Sequence, residues 1–135
     1  MNDQTKLLLI KIPYWLGIFA DALWAVGLFS PWLFAVLTGN PDFNPDFETR
    51  LIMGIGGTLM TGWTILLIWA LIKPIERRFI ILLTAFPVVF GMFIITFIQV
   101  INGNSIIIWA LVKTLILFIS MIFSYFLAGK VINEH

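Results

Sequence analysis

The sequence of 135 residues contains no cysteine and a single histidine, His135, at its last position. Without cysteine there are no disulfide bonds, thiolate metal sites, iron–sulfur clusters or cysteine nucleophiles. One terminal histidine also excludes a histidine pair for haem and a histidine base inside an apolar segment. We therefore expect no catalytic residue, no metal site and no cofactor, and we do not expect an enzyme.

Charged residues are also scarce, at 11% of the chain, whereas a soluble domain carries roughly 25%. Hydrophobic residues make up 61%, and the mean hydropathy is +1.05. A soluble fold could not cover so much apolar surface, so the lipid bilayer is the expected surrounding. The net charge is +1 and there is no run of basic residues, so no nucleic-acid partner is expected.

Four segments reach the length of about 20 apolar residues that a membrane-crossing helix needs. They cover about 7–29, 51–72, 79–101 and 105–129. Their continuous apolar character favours helices over barrel strands, which would alternate. Short polar connections at 73–78 and 102–104 favour antiparallel neighbours. The prediction is an all-α fold, a transmembrane up-down four-helix bundle that forms a single domain over 1–135.

The connection after the first span is longer. Ser30 and Pro31 are typical of a helix cap and a first helical residue. They predict a short interfacial helix over 31–38, followed by an outer loop over 39–50. The alternative is that the first span continues, kinked, to Leu37. In the loop, Asn44 and Pro45 predict the cap of the second span.

Basic residues near the span ends predict the orientation. One predicted side holds only Arg50, and the other holds six basic residues: Lys6, Lys11, Lys73, Arg77, Arg78 and Lys130. This bias predicts a multi-pass protein of the plasma (inner) membrane with both termini in the cytoplasm.

Asp21 and Lys113 each lie inside a long apolar run. A charge at the bilayer centre costs about 2.5–3.5 kcal/mol on translocon scales, so such residues usually face a bundle interior and have a partner. Asp21 lies eight residues before Phe29 and Lys113 eight residues after Ser105, about 12 Å from the helix end in each case. This predicts an Asp21–Lys113 pair. The alternatives are that the pair serves only to fix helix register, or that Lys113 extends to the interface without a partner.

Other polar residues fall in the same outer slice of the predicted bundle. The expected pocket lining is Thr58, Thr96, Gln99, Arg50 and Ser120. Two stripes at four-residue spacing predict close helix packing: Gly17, Asp21 and Ala25 on the first span, and Gly54, Thr58 and Gly62 on the second. Pro87 predicts a kink in the third span.

The segment 50–88 contains Met53-Gly54, Gly62-Trp63-Thr64, Glu76-Arg77-Arg78 and Pro87-Val88. With the first-span segment Ala20-Asp21-Ala22-Leu23, these residues resemble a group of small uncharacterised prokaryotic four-helix membrane proteins. The resemblance implies four spans and no particular activity.

Two functions are compatible with this pattern. The first is binding or transport of a small ligand, an ion or a proton at the Asp21–Lys113 pair, in a homo-oligomer. The second is a structural or accessory subunit of a larger membrane complex, in which the pair serves only helix assembly.

Overall fold

The computed structural model describes residues 3–103 and 108–133. Its helices are α1 (Asp3–Phe29), α2 (Pro31–Thr38), α3 (Phe47–Ile72), α4 (Arg78–Leu83), a π-helical segment (Thr84–Val89), α5 (Phe90–Ile101) and α6 (Ile108–Asn133). The described residues contain no strand. The all-α prediction is therefore confirmed.

Four helical stretches are long and apolar enough to cross a membrane: Gln4–Phe29, Phe47–Ile72, Arg78–Ile101 and Ile108–Val131. The helix α1 begins before the apolar run predicted at 7–29, and α6 ends after the run predicted at 105–129. Lys6 and Lys130 lie in these extensions, and lysine is a good helix former. The predicted start of the last span, at residue 105, lies outside the described residues.

A short helix after the first span is also confirmed. Ser30 has extended backbone angles, φ −120° and ψ 104°, and its hydroxyl oxygen accepts a hydrogen bond from the Leu33 N–H. Gly39 ends α2 in the left-handed region at φ 69°, which favours glycine. The alternative of a continuous kinked helix to Leu37 is wrong, because Ser30 leaves the helical region.

The cap of α3 is Asp46, so the prediction of a cap at Asn44 and Pro45 is wrong. The Thr49 N–H donates to Asp46 Oδ1 at 2.8 Å. Hydrogen bonds from the Thr49 side chain and backbone lower the pKa of Asp46. The cap lies two residues later than predicted because the Asp46 carboxylate reaches a free N–H of the first helical turn.

The kink predicted at Pro87 is present in the third span. Phe86 has φ −120° and ψ 122°, the extended conformation that a following proline favours. Proline also lacks an N–H for the helical ladder. The span therefore consists of α4, the π-helical segment and α5 in place of one regular helix.

The chain forms two compact units. The first contains the chain up to Leu16 and from Trp69 onward. Its buried residues include Ile10, Tyr14, Ile81 and Met121, each fully excluded from solvent. Hydrogen bonds connect its distant segments. The Ser124 hydroxyl donates to the Ile10 carbonyl at 2.9 Å, and the Tyr14 hydroxyl lies 3.3 Å from the Pro74 carbonyl and 3.5 Å from the Arg77 carbonyl, both of which can accept from it.

Ser124→Ala is expected to destabilise the protein by about 1 kcal/mol, since Ser124 is fully buried and its hydrogen bond has no replacement. Ser120→Ala is the matched control, because the Ser120 hydroxyl donates to Leu117 in its own helix. Unfolding of both variants in detergent, followed by circular dichroism, measures the difference. Equal stabilities would show that the Ser124–Ile10 bond contributes nothing.

The second unit is Gly17–Ile68. The end of α1 packs on α3 where α3 has glycine: a Cβ at Gly57 would lie 3.0 Å from two ring atoms of Phe29 and 3.3 Å from Leu28 Cβ. The ring of Phe34 contacts Trp24 at 6.0 Å and Phe43 at 4.8 Å between centroids. Aromatic contacts thus attach α2 and the loop after it to α1.

Candidate functional site

Asp21 lies on the buried face of α1. Gly17, Ile18 and Ala25, which precede and follow it by three or four residues, are buried as well. This spacing is one face of a helix, and it is the face that the small residues predict. Asp21 itself is only 8% exposed, in a helix apolar and long enough to span a membrane.

The carboxylate oxygen Oδ2 of Asp21 is buried and has no hydrogen-bond partner among the described residues. Buried polar groups are nearly always hydrogen-bonded, and each exception needs an explanation. An isolated buried carboxylate is especially costly. This desolvation cost is removed when a proton or a metal cation binds the carboxylate oxygen, or when the N–H of a ligand donates to it. Asp21 is therefore chemically suited to bind one of these.

Arg50 and Thr58, two of the predicted lining residues, lie in one concave surface of the second unit. Its volume is 460 Å³, and it is lined by Phe29, Arg50, Leu51, Gly54, Ile55, Thr58 and Leu59. The Arg50 Nε–H donates to the Pro45 carbonyl at 3.1 Å. The Thr58 hydroxyl donates to the Gly54 carbonyl at 2.9 Å, so it offers an approaching group only oxygen lone pairs.

The other predicted site residues belong to the first unit. Thr96 and Gln99 lie on α5, whereas Lys113 and Ser120 lie on α6. The Thr96 hydroxyl donates to Met92 of its own helix at 2.7 Å. Gln99 and Lys113 are exposed and Thr96 and Ser120 half-buried. The Asp21–Lys113 pair stays a prediction from the sequence.

A second concave surface was not predicted. It has a volume of 230 Å³ and is lined by Arg78, Tyr125, Phe126, Gly129 and Lys130. From the sequence, Arg78 and Lys130 predict only the membrane orientation. The signal that could have found this surface is the small pair Ala128-Gly129 directly before Lys130, near the end of α6.

No protein-family model, curated protein or solved structure matches the chain. The resemblance to small four-helix membrane proteins therefore stays a prediction. The described residues contain no group of three or more His, Cys, Asp or Glu side chains that could hold a metal ion. Fold and composition define an α-helical membrane protein with four apolar helices of spanning length.

Proposed function

We propose that this protein binds a proton or a small monovalent cation at Asp21, within the membrane. The observation that carries the proposal is the Asp21 carboxylate oxygen Oδ2, which is buried in a helix of spanning length and has no hydrogen-bond partner in residues 3–103 and 108–133. Ionisable residues inside a membrane are rare and typically mark ion, proton or ligand pathways. One carboxylate balances one positive charge, so a monovalent ion or an organic ammonium fits best.

The remaining predicted residues have a secondary place in this proposal. An Asp21–Lys113 ion pair would neutralise the carboxylate, so that predicted pair belongs to the structural alternative, and the lining by Thr58, Thr96, Gln99, Arg50 and Ser120 stays a prediction from the sequence. The hydroxyls of Thr58 and Thr96 donate within their own helices.

The membrane assignment has its own proposed details. We place the protein in the plasma membrane with both termini in the cytoplasm, on the distribution of basic residues near the span ends. A proton or cation bound at Asp21 would then need a path to one aqueous face. Four helices enclose little volume, so transport would require a homo-oligomer.

The test is cation binding by the purified protein. Na⁺, K⁺ and tetraphenylphosphonium are the probes, each measured by the shift in thermal unfolding temperature and by equilibrium dialysis. A ligand that binds only the folded state raises the unfolding temperature. We expect at least one probe to shift the wild type, and Asp21→Asn to weaken its binding by about tenfold or more, the loss of a charge-assisted contact.

Asp42→Asn is the matched control, because Asp42 is exposed in the loop after α2 and the change removes the same charge. It should bind the probe as the wild type does. If the bound probe were unaffected by Asp21→Asn, or lost equally in Asp42→Asn, the proposal would be wrong. If none of the three cations bound, proton uptake by wild-type proteoliposomes, absent in Asp21→Asn, would be the remaining form of the proposal, and its absence would refute it.

A second function has one observation in its favour. A Cβ added at Gly54 or Gly62 of α3 would meet no atom within 4 Å, and Thr58 between them is exposed. Small residues at four-residue spacing let membrane helices approach closely. The protein would then be a structural or accessory subunit, assembled with copies of itself or with a larger membrane complex through this face.

A further inference from the structure

The surface lined by Arg78 and Lys130 joins two cations that are distant in the sequence. Arg78 is the first residue of α4, and Lys130 lies in the last turn of α6. Both belong to the first compact unit. Together with Tyr125, Phe126 and Gly129 they line a cleft of 230 Å³. This lining carries two positive charges and no carboxylate.

The guanidinium of Arg78 has a defined position in this cleft. Its Cζ lies 5.4 Å from the centroid of the Tyr125 ring, within the range of a cation–π contact. Its Nη1 lies against Gly129, and a Cβ at position 129 would collide with it. Gly129 is therefore required for the observed position of the arginine.

The neighbouring basic residues are already engaged elsewhere. Lys73 forms an ion pair with Glu76 at 3.0 Å. Arg77 lies over the Trp69 ring, 3.6 Å from its centroid, and donates to the Trp69 carbonyl. In residues 3–103 and 108–133, no carboxylate pairs with Arg78. Among the residues that the structure describes, the cleft therefore has two basic side chains in its lining and no acidic one.

We propose that the cleft binds the phosphate of an anionic phospholipid. A guanidinium presents several N–H donors in a plane and forms strong charge-assisted hydrogen bonds to phosphate. Lys130 adds a second positive charge. Phe126, 63% exposed in the same lining, offers an apolar surface to an acyl chain. Basic pockets near the ends of membrane helices are suited to anionic headgroups.

The apolar wall and the position at the end of spanning helices favour a lipid over soluble phosphate. The test starts from the full-length protein in nanodiscs of mixed phosphatidylcholine and phosphatidylglycerol. Native mass spectrometry then counts the phosphatidylglycerol molecules retained. We expect the wild type to retain at least one, and Arg78→Gln and Lys130→Gln to retain about tenfold less, as expected for the loss of one charge-assisted contact.

Gly129→Ala separates this site from general charge attraction, because it changes no charge and displaces the guanidinium. It should lower lipid retention by less than Arg78→Gln does, because the end of the flexible arginine side chain shifts but keeps its charge. Lys73→Gln is the matched control, since it removes one charge from an exposed residue outside the cleft. Retention in Lys73→Gln should equal that of the wild type. Equal losses in all charge variants, with no loss in Gly129→Ala, would overturn the proposal.

Two further readouts keep the result interpretable. Circular dichroism of each variant checks that the helices are intact. If Gly129→Ala does not fold, the comparison of Lys130→Gln, a change at an exposed helix end, with the control Lys73→Gln tests the cleft. Addition of inorganic phosphate distinguishes the source of the ligand. If inorganic phosphate displaced the lipid at millimolar concentration, the site would be one for soluble phosphate, and the lipid proposal would be wrong.

Discussion

Asp21→Leu is expected to stabilise the protein, raising its free energy of unfolding by about 1–3 kcal/mol. The substitution removes the penalty of burying a polar group without a partner, which has this magnitude. Asp21 is 8% exposed, and no group in the described part of the chain bonds its Oδ2, so leucine removes a desolvated group and supplies apolar contacts. The same substitution should abolish cation binding. A gain in stability with a loss of function is the behaviour expected of a functional residue in an unfavourable environment.

The sign of this change separates the two functions considered above. If Asp21 formed a structural ion pair with Lys113, removal of the carboxylate would leave the lysine charge without its partner in an apolar helix, and breaking a buried pair in this way costs about 3–5 kcal/mol. Reversible unfolding in detergent, monitored by circular dichroism, measures the sign. Lys113→Met is the companion variant, and Asp42→Asn is the control for loss of one acidic charge. A strongly destabilised Asp21→Leu would favour the scaffold and contradict a binding role.

Gly57→Leu is expected to destabilise the protein by about 1–3 kcal/mol through overpacking. Even a single added Cβ at this position would lie 3.0 Å from the Phe29 ring and 3.3 Å from Leu28 Cβ. The backbone of α3 cannot move away from α1 without opening the contact that buries Gly57. The loss should appear as a lower unfolding temperature with the same helix content at room temperature.

Gly62→Leu is the matched control for this prediction. It makes the same substitution on the same helix, where a Cβ meets no atom within 4 Å, so stability should change by no more than about 0.5 kcal/mol. Equal destabilisation by both substitutions would contradict the packing described for α1 and α3. Gly62→Leu also tests assembly, because loss of self-association with unchanged stability would assign this face to an oligomer interface.

The elements of this fold that follow from local sequence were predictable. The break between α1 and α2 is encoded by Ser30, whose side chain caps the next helix, and by Pro31, which suits a first helical position. The kink in the third span follows from Pro87, which lacks an N–H. The prediction of the α3 cap at Asn44 and Pro45 is wrong. Asn44 and Asp46 are both good capping residues, and only the three-dimensional path of the loop selects Asp46.

The candidate site was predictable only in part. A carboxylate in an apolar run marks Asp21 from the sequence alone, and the spacing of Arg50, Gly54 and Thr58 places them on one face of α3. Whether Asp21 Oδ2 has a hydrogen-bond partner depends on tertiary packing, which cannot be predicted from the helical spacing of residues in the sequence. The Arg78–Gly129 contact also depends on tertiary packing, since it joins α4 and α6 through a side chain whose sequence position predicts only the membrane orientation.

Labelling of Asp21 by a lipid-soluble carbodiimide tests the central claim most directly. The reagent partitions into the bilayer and reacts with carboxyl groups in apolar surroundings, and peptide mass spectrometry locates the adduct. We predict an adduct on Asp21 in proteoliposomes, reduced by the cation that stabilises the wild type and absent from Asp21→Asn. The account would be contradicted if Asp21 were not labelled. It would also be contradicted if the extent of labelling were the same with and without cations and at every pH.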